Sequence, residues 1–343
     1  MKTKALVFES PKKVILKDLD LPEPGPADLV VETEVSGISV GTERWAYLGK
    51  RPELKFPNVP GYMGIGRVTR AGDEAKRKGF SVGDRVNFFK SRLAADINGN
   101  SWMGSHLSTA VVDTSSRPDE VKPGDWEIHC CERLPDGLEP VDASLTQLCA
   151  VAMRGIEMAG IPAASKVLVL GLGVIGQYAM QVCRLKGARV AAADVVESRL
   201  QIAKKTGAEW ALNSKNPDFY EKLNEIAPSG FDIIIDTSSI PEVINKIFPH
   251  LKRFGKLVFQ GWYPPPSPID LNAAHGRMPT MYAPCAHSGR ATAAAMQWVR
   301  DGHLDTKSLV SHILKPSEAH ETYERMAAGS EDFLGMAFDW RKI

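Results

Sequence analysis

The chain has 343 residues, a length that suggests about two domains. Hydrophobic residues make up 43% and charged residues 24%, an ordinary globular balance, and 42 basic against 41 acidic side chains leave a net charge of +1. That near-neutrality argues against a nucleic-acid or acidic-membrane partner, and no apolar run approaches bilayer-spanning length. Five cysteines without framework spacing, and an N-terminus that reads as a strand and not as a signal peptide, predict a cytoplasmic protein.

From the N-terminus, residues 4–8, 13–18 and 29–35 are short runs rich in Val, Ile and Leu with turn residues between them. Pro22, Pro24, Gly25 and Pro26 break the chain before the third run, and Ser36 to Glu43 is expected to leave it as a loop. Pro57 to Val68 reads as a turn entering a strand, and Gly83–Phe89 and Gly104–Asp113 as further turn-and-strand units. Short strands spaced by turn signals predict a β-rich barrel or sandwich. Near residue 140 the order changes. Asp142–Ala159 reads as a helix, and from Lys166 strands alternate with helices: strands at 166–170, 189–193, 210–213, 231–236 and 255–261, helices at 195–206, 218–227 and 241–253. Such alternation predicts a parallel sheet covered on both faces. A helix at 291–301, a strand at 312–315, a helix at 317–327 and a last strand at 336–340 are expected to return to the first domain.

One stretch carries the strongest chemistry. Val167–Leu170 reads as a buried strand, Gly171, Gly173 and Gly176 follow in G-x-G-x-x-G spacing, and Ile175, Ala179, Val182 and Leu185 recur at helical spacing. In a dinucleotide-binding βα unit the first glycine makes the tight turn, the second admits the pyrophosphate and the third lets helix and strand pack closely. The helix N-terminus offers free N–H groups to the phosphates. A second strand ends at Asp194, about 20 residues on, where an acid meets the adenosine ribose hydroxyls; its other reading is a helix N-cap. Val174, Ile175, Arg199 and Thr237 complete the expected cofactor-binding set, and NAD is the expected cofactor.

In this order the motifs Ser36-Gly-Ile, Gly41-Thr-Glu43, Pro60-Gly61, Gly83-Asp-Arg-Val86, Leu134-Pro-Asp-Gly-Leu138, the glycine turn and the ending from Leu309 to Trp340 resemble the medium-chain dehydrogenase/reductase superfamily, the zinc alcohol dehydrogenase and quinone reductase group. The resemblance spans nearly the whole chain. It implies an α/β protein: a GroES-like β-rich catalytic domain over 1–147 and 286–343, and a doubly wound Rossmann domain over 148–285. It also implies a small-molecule substrate and a homodimer or homotetramer. The chain departs from the zinc-dependent pattern. Val40 or Ser39 stands where those members carry a cysteine, Tyr62 and Met63 stand where they carry His-Glu, and no cysteine occurs before residue 130. Catalytic zinc takes three protein ligands and an open position, and Cys149 alone makes no such site, so no metal is expected. Ser36–Arg44, Pro60–Tyr62 and Leu257–Tyr263 resemble a branch lacking the zinc ligands that includes bacteriochlorophyllide dehydrogenase, which oxidises a hydroxyethyl side chain to an acetyl group. That branch carries Glu after Pro-Gly-Tyr, where this chain has Met63.

Without a metal, a side chain must handle the proton of the reacting hydroxyl. The resemblance puts Thr42 at the position of a Ser/Thr relay; its other reading is a loop hydroxyl bonded to nearby backbone. Tyr62 either hydrogen-bonds a substrate oxygen or is a packed aromatic. Glu43 either orients Thr42, binds a substrate hydroxyl, or pairs with Arg67. His106 reads as a structural histidine, and Trp45, Tyr47, Trp102, Trp262 and Tyr263 as lining for a roomy aromatic cleft. Loops 41–47 and 60–63 are the expected substrate wall. The leading expectation is a zinc-independent NAD-linked alcohol dehydrogenase or ketone reductase. An NAD(P)H-dependent enoyl or quinone reductase and a non-catalytic nucleotide-binding protein are the alternatives.

Overall fold

The computed structural model describes residues 1–94, 97, 103–115, 131–263, 265–287, 289–329 and 333–343. The chain divides into two compact units, one of Met1–Gln147, Ser288–Gly302 and Val310–Ile343, the other of Leu148–His287 and His303–Leu309. The expected boundaries differ from this division at residues 286–287 and 303–309.

The first unit is β-rich. Strands β1 (Lys2–Ser10) and β2 (Lys13–Asp20) form an antiparallel hairpin. A seven-stranded sheet is built on β3 (Asp28–Ile38), β4 (Gly64–Ala71), β5 (Arg85–Phe88), β6 (Thr109–Asp113), β7 (Cys131–Arg133), β14 (Val310–Leu314) and β15 (Gly335–Asp339). Its order is β14-β15-β3-β4-β5-β7, with β6 branching from β3, and β14–β15 is its parallel pair. Bridges Ala5↔Leu107 and Phe8↔Asn58 tie the hairpin to segments flanking that sheet. Alternate residues of these strands, among them Val7, Leu29, Val31, Val68, Val86, Phe88, Ala110 and Val112, make one buried cluster.

The second unit has six parallel strands in the order β10-β9-β8-β11-β12-β13: β8 (Lys166–Leu170), β9 (Arg189–Asp194), β10 (Trp210–Asn213), β11 (Phe231–Asp236), β12 (Leu251–Phe259) and β13 (Thr280–Tyr282). The order reverses at β8, where each half of a doubly wound sheet begins, and ligands bind at such a switch point beyond the carboxyl ends of the strands. One face of the sheet packs Leu168, Leu170, Ile234 and Leu257 against Leu223, Ile244 and Phe248, and the strand residues of the other face, Val167, Val169, Ile233, Ile235 and Val258, are buried too.

Three expectations are corrected. The loop expected over Ser36–Glu43 is the end of β3 followed by a helix over Val40–Tyr47, whose first turn carries Glu43 and whose Glu43 N–H donates to Ser39 O at 2.8 Å. The helix expected over 241–253 stops at Ile247, because Pro249 has no N–H for the ladder. A short 3-10 turn, Phe248–His250, leads into β12, which starts at Leu251 and shifts register between Phe231 and Ile233 of its partner. The three-residue β13 carries too short a pattern to be read as a strand.

Candidate active site

In the second unit the glycine turn is built by sterics. Gly171 has φ +82°, where only glycine is free of strain. A Cβ on Gly176 would lie 1.9 Å from Gly171 O, so helix and strand touch there, whereas a Cβ on Gly173 would meet nothing within 4 Å and faces open space. The helix Val174–Leu185 starts from extended Gly173 without a side-chain cap, which leaves its first N–H groups facing that space; Val174 is buried and Ile175 half-buried. Asp194 closes the turn from β9: Oδ2 accepts from Leu172 N at 2.5 Å and Oδ1 from Val196 N at 2.9 Å. A carboxylate has about four acceptor sites, so two remain. The reading of Asp194 as helix N-cap is corrected: the helix Glu197–Lys205 is capped by Val196 without a side-chain bond, and Asp194 braces the turn before it. Arg199 Nη1 lies 3.9 Å from Asp194 Oδ2, and Gln177 Nε2 holds Arg199 O at 2.8 Å. Thr237 Oγ1 lies 2.8 Å from Gly171 O and 3.1 Å from Leu170 O, so this hydroxyl braces the turn. Asp236, wholly buried at the end of β11, accepts from Ser238 and Ser239 and from the Tyr263 hydroxyl; burial pushes its carboxyl upward against those bonds. Neither Gln177 nor Asp236 was among the expected site residues; Asp236 is announced only by an acid ending a buried strand.

In the first unit Tyr62, standing where zinc-dependent members carry a histidine ligand, lies in a hydroxyl cluster. Tyr62 is 6% exposed, and its O–H donates to Ser39 Oγ at 2.7 Å, with Thr42 as a second hydrogen-bond partner. Burial holds the phenol above its usual pKa, more than those two hydroxyls lower it. Phe89 packs beside the ring with centroids 5.6 Å apart. Thr42 is half-buried, on the helix and not on a loop.

Behind this cluster lies a buried polar chain. Glu43 and His106 are both 0% exposed. Glu43 Oε1 accepts from Ser39 N at 2.8 Å, while Oε2 meets His106 Nε2 at 3.0 Å and the Tyr323 hydroxyl at 2.5 Å. His106 Nδ1 lies 2.6 Å from Ser36 Oγ, which accepts from Trp340 Nε1 at 2.7 Å. The indole N–H donates to Ser36 Oγ, and His106 Nε2–H donates to the Glu43 carboxylate, which can only accept. Tyr323 O–H, His106 N–H and Ser39 N–H all converge on Glu43. The pairing of Glu43 with Arg67 is corrected: Arg67 points outward on β4 and meets Glu34 at 3.6 Å. His106 is a structural residue, as expected, but its partner is the site's own acid.

The expected aromatic cleft is not one set. Tyr47 is core, stacked on Tyr323 and tilted against Phe8, with its hydroxyl donating to Lys12 O. Tyr263 belongs to the Asp236 network, Trp45 lies under Arg44 and Lys50, and Trp102 lies outside the described residues. A groove of about 810 Å³ on the first unit is lined by Lys4, Glu34, Arg67, Thr109 and Arg341 and by none of the expected site residues.

The residues do not fit a zinc ion. Cys149 is buried, and burial drives its thiol far up, away from the thiolate a metal needs. Tyr62 is a protonated donor to a neutral hydroxyl. Among the described residues no three His, Cys, Asp or Glu side chains gather as a metal-binding group. The glycine turn does fit a dinucleotide, because the Gly173 side is open to backbone approach.

A family model described as a zinc-binding dehydrogenase matches residues 174–300. The chain is 27% identical, over 99% of its length and 99% of the relative, to 2-desacetyl-2-hydroxyethyl bacteriochlorophyllide A dehydrogenase of Cereibacter sphaeroides. Two solved structures share the fold: a zinc-binding dehydrogenase of Sinorhizobium meliloti bound to NADP (TM-score 0.82, 21% identity, 99% of both chains) and an alcohol dehydrogenase of Escherichia coli CFT073 complexed with NADH (TM-score 0.82, 19% identity, 98% and 99%). No helix among the described residues is long and apolar enough to cross a membrane. The chain is thus similar over nearly its whole length to dehydrogenases of the medium-chain dehydrogenase/reductase superfamily, and it shares their fold of a GroES-like unit and a Rossmann unit.

Proposed function

We propose that the protein is a zinc-independent, NAD(H)-dependent oxidoreductase that interconverts a secondary alcohol and a ketone. The observation that carries this reading is a hydroxyl cluster in which Tyr62, standing where zinc-dependent members carry a histidine ligand, keeps its proton and is hydrogen-bonded to Ser39 and Thr42. A bound nicotinamide supplies or takes the hydride. The N–H groups at Gly173–Val174 and the start of the helix would take the pyrophosphate, the free lone pairs of Asp194 the ribose hydroxyls, and Arg199 stands beside them.

This chain's side chains handle the substrate oxygen. A buried phenol that keeps its proton can turn that one donor from Ser39 Oγ to a carbonyl oxygen when substrate enters, the same polarising role an oxyanion donor plays. Thr42, half-buried and bonded to that phenol, carries the proton toward solvent. Glu43 is assigned as an anchor and not as the base, since donors from Ser39, His106 and Tyr323 already occupy its oxygens. The name of the bacteriochlorophyllide relative carries a hydroxyethyl group on a large ring, which supports a cyclic or bulky alcohol as substrate.

The test is oxidation of NADH and NADPH with a panel of cyclic and aromatic ketones, before and after dialysis against EDTA. Turnover with NADH that survives chelation is expected. Loss of turnover restored by zinc would refute zinc independence. Reduction of an enone's carbon–carbon bond would assign the enoyl or quinone reductase reaction, and nucleotide binding without any turnover would make the protein non-catalytic.

A further inference from the structure

We propose that Ser39 is the positioning residue of the Tyr62 hydroxyl, and that the buried Glu43–His106 pair exists to hold both. This rests on the reading of Tyr62 as the group that meets the substrate oxygen. Ser39 sits at the N-cap of the helix Val40–Tyr47 in extended conformation, φ −85° and ψ 90°. A serine there ordinarily turns its hydroxyl onto the helix's free N–H groups. This one makes no cap hydrogen bond; its oxygen accepts from Tyr62 O–H at 2.7 Å instead. The hydroxyl is therefore diverted from capping the helix to holding the Tyr62 phenol in place, with the phenol proton resting on Ser39 until a substrate oxygen takes it over.

The backbone of Ser39 is clamped by one residue. Its N–H donates to Glu43 Oε1 at 2.8 Å and its carbonyl accepts from Glu43 N at 2.8 Å. Glu43 is fixed in turn by His106 and Tyr323. The same His106 also grips the other side of the site. A Cβ on Gly61 would lie 2.7 Å from the imidazole, so the ring packs directly against the residue before Tyr62, at φ +83° where glycine is required. One residue past Tyr62, Met63 N donates to Ser105 Oγ at 3.0 Å. Segment 105–106 thus holds Tyr62 from both flanks, while Glu43 passes the same constraint to Ser39. Hydroxyl donor and acceptor are registered against one buried His106–Glu43 hydrogen bond, in a site where about 1 Å of misplacement can cost on the order of 10²-fold in rate.

The experiment is a double-mutant cycle on Ser39 and Tyr62, read as kcat and KM in NADH-driven reduction of the best ketone of the panel, with NADH affinity and melting temperature measured beside it. Ser39→Ala is expected to lower kcat by about 10- to 100-fold, with NADH affinity unchanged and only a small fall in melting temperature, because one hydrogen-bond acceptor but no helix cap is lost. Ser39→Thr, which keeps the acceptor, should restore most of kcat. In the Tyr62→Phe background Ser39→Ala should cost nothing further, since the group it positions is gone. Full multiplication of the two losses, a silent Ser39→Ala, or a loss that follows melting temperature and is not rescued by Thr would overturn the positioning role while leaving Tyr62 in place. A silent Tyr62→Phe, or no turnover of NADH or NADPH by the wild type, would remove the underlying reading and this inference together.

Discussion

Replacing Glu43 with Leu tests the buried network at its centre. The carboxylate is 0% exposed and receives Ser39 N–H at 2.8 Å, His106 Nε2–H at 3.0 Å and Tyr323 O–H at 2.5 Å. Leu fills similar space, so the cost is not a cavity but three buried donors left without an acceptor. Each such loss is worth about 1–3 kcal/mol, and neighbours sharing one acceptor do not add fully, so about 3–5 kcal/mol is expected. That is a large part of the 5–15 kcal/mol or so that holds a typical domain. Glu43→Gln keeps one acceptor oxygen and turns an NH₂ toward donors it cannot satisfy, for about 1–3 kcal/mol. Urea unfolding followed by tryptophan fluorescence measures both, with Trp45 on the Glu43 helix and Trp340 donating into the same chain of bonds as internal probes. A Leu variant within about 1 kcal/mol of wild type, less than the low end of one orphaned donor's range, would refute the reasoning. A Gln variant that unfolds like wild type yet loses turnover would give the proton to Glu43, the assignment rejected above.

The other predictions concern cofactor, metal, glycine and pH. NAD(H) should bind at least about tenfold tighter than NADP(H), roughly 1.4 kcal/mol, because Asp194 repels a 2′-phosphate; fluorescence titration giving equal or reversed affinity would remove Asp194 from that role. Elemental analysis should find no stoichiometric zinc in the purified protein, and EDTA should leave activity unchanged. Gly176→Ala forces a methyl group 1.9 Å from Gly171 O and should abolish tight NADH binding, whereas Gly173→Ala, with open space around it, should fold normally and weaken only nucleotide affinity. Burial lifts the Glu132 carboxyl from its ordinary 4.5 to about 7, so the folded state keeps a proton that the unfolded chain has released. Stability should therefore fall as pH rises from about 4.5 through about 7, and Glu132→Gln should flatten that slope in a pH series of urea midpoints.

The parts of this molecule legible in the sequence are those where a local steric demand picks the residue. Gly171 and Gly176 follow from a turn at positive φ and a helix that touches its strand, and both demands are met within a few residues of chain. Asp194 was legible as an acid ending β9, but its second job, accepting Leu172 N–H, depends on how the turn folds back and leaves no mark in spacing. The hydroxyl site was legible only as a set of departures: Ser39, Thr42 and Tyr62 could be named, their mutual bonding could not. Its supports were out of reach for a different reason. His106 is 63 residues and Tyr323 is 280 residues from the Glu43 they hold, and opposite charge alone suggested Arg67. What decides between those partners is which face of β4 a side chain takes: Arg67 lies on the solvent face, where Glu34 is within reach, and Glu43 lies inside. A buried carboxylate cannot remain without donors, so once the fold put Glu43 inside, the histidine, the tyrosine and the Ser39 N–H had to come to it. The constraint that results is directional. It fixes the backbone of Ser39 and, through His106 against Gly61, the approach of Tyr62, so on the zinc-independent reading proposed above hydrogen-bond vectors take the place of coordination geometry as the source of orientation.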